Sequence, residues 1–213
     1  MRSQIHAKGK KMLLQDPALF LKESPVVDFS HPEVAAVAKK LGTGTQDRLF
    51  IAKRCFEYVR DEIRHSGDFR DERTTCSASE VLRHRTGWCY AKSHLLAALL
   101  RANDIPAGFC YQRLKCFEYG VETFCLHGLN ALYLEGFGWY RVDARGNKEG
   151  VDARFSPPVE VLAFRPEDGE EDLPGIFDEP LGVVLEALRN NTNYEAMVKN
   201  FPDIADTTKQ ERA

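Results

Sequence analysis

A change of hydrophobic periodicity near Pro106 constrains the fold of this chain more than any other feature. Before it, apolar residues recur at three- and four-residue steps, the spacing that lines one face of a helix. After it come short runs rich in Phe, Tyr, Val and Leu, the last two separated by Gly136-Phe137-Gly138, the texture of strands and at least one hairpin. Helices first and strands second is an α+β order, not the alternation that builds a parallel α/β sheet. The expected fold is therefore a helical N-terminal part packed on an antiparallel β-sheet. A chain of 213 residues sits near the upper end of the usual range for one domain. We expect a single domain over 1–213, with a core of about 45–160 and a C-terminal extension of about 161–213.

Local signals place the elements. Ser30 reads as an N-cap before His31-Pro32-Glu33, opening a helix that runs to about Leu41 and stops at Gly42-Thr43-Gly44. Thr45 reads as the cap of a longer helix whose buried face is Leu49, Ala52, Cys55, Phe56, Val59 and Ile63. The polar stretch from Gly67 to Thr75 reads as loop. Ser77-Ala78-Ser79-Glu80 has the form of a capping box before a short helix closed at Gly87. The segment from Cys89 to about Ala102 is apolar around most of its circumference, so it reads as a central buried helix, with Asn103 as C-cap and Pro106 blocking continuation. Strands are expected over 108–115, 124–134 and 139–143, the last two joined through Gly136-Phe137-Gly138. Surface helices are expected over 180–190 and 194–200, and the last dozen residues read as frayed.

Composition excludes several classes. With 29 basic against 32 acidic side chains there is no basic excess to neutralise phosphates, so no nucleic-acid partner is expected. No stretch approaches the roughly 18 consecutive apolar residues of a membrane span. The first residues lack the apolar run of a signal peptide, so the cytoplasm is the expected compartment. The six cysteines, Cys55, Cys76, Cys89, Cys110, Cys116 and Cys125, are then expected as free thiols, most of them buried as small hydrophobes. Their spacings contain no C-x2-4-C pair, which argues against a structural zinc site. The run from Glu167 to Asp172 is acidic but lacks the D-x-[DN]-x-[DN]-G order of a calcium loop, and reads as a solvated loop.

One cysteine stands apart by position. Cys89 follows Gly87-Trp88 and opens the buried helix, where unpaired backbone N–H groups and the positive end of the helix dipole favour thiolate over thiol. The same N–H groups suit a developing oxyanion. A thiolate nucleophile needs a proton shuttle, and that shuttle needs an orienting partner. His127, in an apolar strand, and Asp143, at the end of the next strand, fit those needs. Hairpin pairing centred on Glu135 sets 127 opposite 143, whereas pairing centred on Phe137 sets 127 opposite Asn147; a bulge would reconcile them. Asp152, in a second Val-Asp-Ala-Arg tetrapeptide, competes with Asp143 as orienter, and Asp143 is favoured because it directly follows the Gly138-Trp139 strand. His65 and His84 read as solvated, and His94 as structural.

Taken in order, Ser79-Glu80-Val81-Leu82, Thr86-Gly87-Trp88-Cys89, Leu99-Leu100-Arg101-Ala102-Asn103-Asp104-Ile105-Pro106-Ala107, then His127 and Gly138-Trp139-Tyr140-Arg141-Val142-Asp143, the sequence resembles the transglutaminase-like superfamily of papain-like cysteine enzymes. The resemblance covers roughly residues 49–145 and implies a transglutaminase-like core. It implies Cys89 as nucleophile, His127 as general base and acid, and Asp143 as the orienting partner. The chain departs from the family where an aromatic often stands two residues after the histidine: here it has Leu129, followed by Asn130. The side-chain oxyanion donor of relatives has no clear counterpart, which leaves the Cys89 backbone N–H.

The expected function is acyl transfer on amide bonds of a peptide or protein through a thioester, resolved by water (protease or amidase) or by a second amine (transglutaminase). Such chemistry requires no cofactor and no metal. The alternative is a catalytically silent module of the same family that binds peptide in the groove.

Overall fold

In the computed structural model, described for residues 16–118 and 121–204, helices precede the principal sheet as the periodicity predicts. A 3-10 turn at Pro17–Leu21 precedes α1 (Pro32–Gly42) and α2 (Arg48–Glu62). His31, not Ser30, caps α1, its Nδ1 accepting from Glu33 N at 3.4 Å. Asp47, not Thr45, caps α2, its Oδ1 accepting from the backbone of Leu49 and Phe50. The competition is one-sided because an ionised carboxylate accepts more strongly from backbone N–H than a hydroxyl does.

The stretch expected as loop after α2 carries order. β1 (Arg64–His65) pairs in parallel with β2 (Thr86–Gly87), and α3 (Ser66–Phe69) lies between them in sequence. α4 (Ala78–His84) opens on the expected capping box, with Ser77 and Glu80 satisfying each other's backbone N–H groups. It ends at Arg85, whose φ of 53° breaks the helix before Gly87. α5 (Cys89–Arg101) is buried along its whole length. It leaves through Asn103, whose Nδ2 donates to Leu99 O at 2.8 Å and Ala38 O at 3.2 Å, fastening the helix end to α1.

The main sheet has the order β5-β4-β3-β6, all antiparallel: β3 (Ala107–Glu118), β4 (Val121–Leu134), β5 (Gly138–Val142) and β6 (Glu171–Asp172). Part of the acidic run expected as a solvated loop is therefore edge strand β6. Alternation along β4 divides the layers. Leu126, Leu132 and Leu134 join the core shared with α5, while Leu129 and Ala131 pack on the opposite face against Leu162 and Ile176. α5 is thus sandwiched between the sheet and helices α1, α2 and α4, and the segment after 160 covers the far face of the sheet. α6 (Gly182–Asn190) and α7 (Tyr194–Lys199) follow. Among the described residues no helix is long and apolar enough to cross a membrane.

The expectation of six free thiols fails for two of them. Cys116 and Cys125 are joined in a disulfide across the β3–β4 ladder, whereas Cys55, Cys76, Cys89 and Cys110 are free. Their diagonal placement, Cys116 level with Thr123 and Cys125 level with Leu114, is a relation that only strand pairing creates.

Candidate active site

The start of α5 meets the sheet at the β5-side edge of β4, ahead of the point where β5 begins to pair. Gly128 allows the close approach: a Cβ there would come within 2.9 Å of Tyr90 Cδ1 and 3.2 Å of Tyr90 Cα. Two contacts hold the junction. The Gly128 N–H donates to Cys89 Sγ at 3.4 Å, and the Tyr90 hydroxyl donates to Leu126 O. One turn on, Asn130 Nδ2 donates to Ser93 O at 3.1 Å. The sequence signals gave α5 and β4 separately; the glycine between His127 and Leu129 is what lets them touch.

Cys89, His127 and Asp143 come together at this edge. The β4–β5 register pairs Asn130 with Val142, so the hairpin is centred on Gly136, midway between the two registers considered from sequence. Extending that pairing puts 127 level with 145, and Asp143 becomes the diagonal neighbour of His127 on the same face. The contact is direct, His127 Nε2 to Asp143 Oδ2 at 2.7 Å. No bulge is needed. The Cys89 sulfur lies close enough to act on the charge of the imidazole, and both side chains line one cavity; with Nε2 committed to Asp143, Nδ1 is the ring nitrogen left to serve the sulfur. Asp143 is fully buried, and its other interactions are complete: Oδ1 accepts from Arg145 N at 3.1 Å and Oδ2 from Ala163 N at 3.2 Å. Asp152 lies elsewhere, exposed and hydrogen-bonded to Arg154 and Asn147.

The electrostatics follow from burial and charge. Burial works against an imidazolium at His127, but the Asp143 carboxylate and the Cys89 sulfur outweigh it and push the pKa up to about 10. Burial also opposes charge on Asp143; His127 and the two backbone N–H groups overcome it and hold the carboxyl below its ordinary value. The ring is braced from the side by Phe164, edge-on with centroids 4.9 Å apart.

A cavity of about 510 Å³ opens beside the thiol, lined in part by His65, Trp88, Leu114, Phe164, Arg165 and Phe201. His65 corrects the sequence reading: it is 8% exposed, level with Gly87 in the short parallel ladder and edge-on to Trp88 at 5.6 Å. Burial, aided by the Arg145 charge, holds it well below the ordinary histidine value, so it is neutral. Its Nδ1 lies 3.7 Å from Asp68, beyond hydrogen-bond reach. Arg145 spans the site's flank, its guanidinium bidentate to Asp68 at 2.7 and 2.8 Å while its backbone N–H serves Asp143. Sequence carried one hint of this residue, its place two positions after Asp143 in the Val-Asp-Ala-Arg tetrapeptide. Nothing marked His65, whose partner Gly87 is 22 residues away.

His94 is structural as expected, its Nδ1 against Cys76 O at 2.7 Å. Burial brings its pKa down to about 4. Among the described residues no three His, Cys, Asp or Glu side chains are arranged to hold a metal ion.

A buried helix opening on a cysteine, laid on an antiparallel sheet whose adjacent strands supply a histidine and an aspartate, defines a transglutaminase-like core of the papain-like fold. The pattern of the transglutaminase-like superfamily matches residues 35–144, more than half of the chain, and the chain belongs to that superfamily. Among solved structures it is similar to a protein from Cytophaga hutchinsonii provisionally described as a cysteine protease. That similarity has 23% identity and a TM-score of 0.46 over 59% of this chain and 40% of that one. It is also similar to a protein from Parabacteroides distasonis provisionally described as a protease, with 12% identity and a TM-score of 0.39 over 66% of this chain and 30% of that one. The chain thus spans less than half the length of either. No curated protein matches it.

Proposed function

We propose that the chain is a cysteine-dependent acyl-transfer enzyme acting on amide bonds of peptides or proteins, with Cys89 as nucleophile, His127 as general base and acid, and Asp143 as the orienting partner. The observation that carries this reading is the His127–Asp143 contact at 2.7 Å beside the thiol at the start of α5, whose sulfur accepts from the N–H of Gly128, the residue next to His127, and shares one cavity with the imidazole. His127, favoured in its charged form by Asp143 and the Cys89 sulfur, holds at Nδ1 the proton that Cys89 gives up, and the sulfur attacks the carbonyl carbon. The negative charge that develops on the carbonyl oxygen faces the unpaired N–H groups of the α5 start, including that of Cys89. As the C–N bond breaks, His127 returns the proton to the departing amine. This leaves a thioester on Cys89 and a neutral amine product. In the second half, water or an incoming amine loses a proton to His127 and attacks the thioester, and Cys89 leaves as the restored thiol. Asp143 holds the ring in the tautomer and orientation both halves need.

A peptidyl aminomethylcoumarin library, run with and without an added primary amine, tests the reading. Turnover in the full chain and none in Cys89→Ala supports it. Peptide binding that survives Cys89→Ala, with no turnover in the full chain, would instead identify a binding module. The product distinguishes the two outcomes of the thioester: free acid alone marks a hydrolase, and acylated amine marks a transferase.

A further inference from the structure

Ahead of Asn130, where pairing with β5 ends, two backbone donors on the β5-side edge of β4 are met from outside the sheet. Gly128 N–H faces Cys89 Sγ. Two residues earlier, Leu126 N–H donates to Pro202 O at 2.8 Å. That acceptor belongs to a short segment that follows α7 and contributes Phe201 to the cavity lining. Asn200 anchors its start, Nδ2 donating to Ala196 O at 2.9 Å and Asn191 Oδ1 at 3.0 Å. Phe201 forms one cavity wall and packs edge-on against Trp88, centroids 5.2 Å apart, the indole being stacked on its other contact by Tyr194. Asp203 closes the segment with a two-pronged pair to Arg113, at 2.7 and 2.8 Å.

We propose that this edge of β4 is the docking line for an extended peptide substrate and that residues 200–204 occupy it as an internal stand-in. The inference rests on the Cys89 reading and adds the substrate class: an unfolded or flexible polypeptide segment that can add as a strand. The argument is one of backbone chemistry. A free strand edge recognises another chain by main-chain hydrogen bonds, with pockets taking alternate side chains. Here the segment supplies a carbonyl to Leu126 and an aromatic side chain to the cavity, the two features such a peptide would bring, next to the thiol. Substrate must displace the segment, so its apparent affinity is reduced by the fraction of molecules in which the edge is open.

The test compares two thiol reagents on Cys89: iodoacetamide, which needs no backbone docking, and a tripeptidyl vinyl sulfone, which does. Asp203→Asn is expected to raise the rate constant with the peptidyl reagent by roughly 3–10-fold while changing that with iodoacetamide by less than about twofold. A chain ending at Asn200 is expected to show a larger gain, reversed by excess synthetic peptide of residues 200–213. Amide hydrogen exchange at Leu126 reads the same edge without chemistry, and is expected to be slow in the full chain and faster in Asp203→Asn. Equal changes for both reagents, or Leu126 exchange unaltered in both variants, would overturn the proposal. Failure of the Cys89 reading has a different signature: neither reagent prefers Cys89 over Cys76 in the full chain, while the exchange result still reports on the edge.

Discussion

His127 is buried between two groups that both favour its charged form, and that placement has a sign in pH. Its folded pKa, about 10, lies above the unfolded value of about 6.5. The folded state therefore binds the proton more tightly, and the stability it contributes is complete below about pH 6.5 and lost as pH rises toward 10. His127→Gln should narrow this loss, so the stability gap between wild type and variant, from urea unfolding at a series of pH values, is expected to shrink from pH 6.5 upward. For chemistry, His127→Ala is expected to slow labelling of Cys89 by a peptidyl thiol reagent by about 10²–10⁴-fold, the usual contribution of a positioned acid–base group. An unchanged labelling rate would show that the imidazole does not serve the thiol. These three residues were legible in sequence because each sits at a marked place: a helix start after glycine, an apolar strand, the end of a Gly-Trp strand. His65 was not, because its burial comes from Gly87 and Trp88, which only folding brings beside it.

At the scale of elements, the register of one hairpin decided the site. Neither centre considered from sequence was right, since pairing fixes register through the turn geometry of Leu134 to Gly138, with Gly136 and Gly138 at φ of 83° and 81°. The cap of α2 shows a similar limit on a smaller scale: Thr45 and Asp47 compete as acceptors, and the carboxylate takes the first-turn N–H groups. Gly128 has a sharper consequence. Replacing it by Ala puts a methyl carbon against the backbone of Tyr90, and α5 must move off β4. We expect a cost of about 1–3 kcal/mol in thermal or urea unfolding, together with slower Cys89 labelling; wild-type values for both would contradict the account of the junction. Lys92, one turn into α5, offers another check. It is fully buried, with Nζ donating to Ile63 O and to Arg60 O, the latter at 3.4 Å, and burial brings its pKa down to about 7. Between about pH 7 and the unfolded value near 10.4 the unfolded chain binds the extra proton, so stability contributed by Lys92 rises with pH. Wild type is expected to gain on Lys92→Met across that window; a gap independent of pH would contradict the lowering of the Lys92 pKa by burial.

At the scale of the molecule, the helix-then-strand order was legible from periodicity alone, because a buried helix and a two-faced sheet impose different repeats on the chain. The parts that escaped are those made by long-range pairing: the β1–β2 ladder, β6 from an acidic run, and the Cys116–Cys125 bridge. In the cytoplasm expected from sequence, a reducing medium would leave the last as two thiols. Alkylation of unfolded protein without and with reductant is expected to differ by two labels if the bridge has formed, and by none if it has not. The central claim, that Cys89 is the nucleophile, turns on a contrast among the four free thiols. Burial pushes Cys55 and Cys110 up to about 12 and Cys76 to about 11, which leaves them almost wholly protonated at neutral pH. Cys89 instead faces His127 and an open cavity. The decisive measurement is therefore the site-resolved rate of iodoacetamide labelling of the native chain at pH 7, followed by peptide mass spectrometry. The account predicts that Cys89 labels at least about 100-fold faster than Cys55, Cys76 or Cys110 and that His127→Ala abolishes the difference; comparable rates at all four thiols would contradict it.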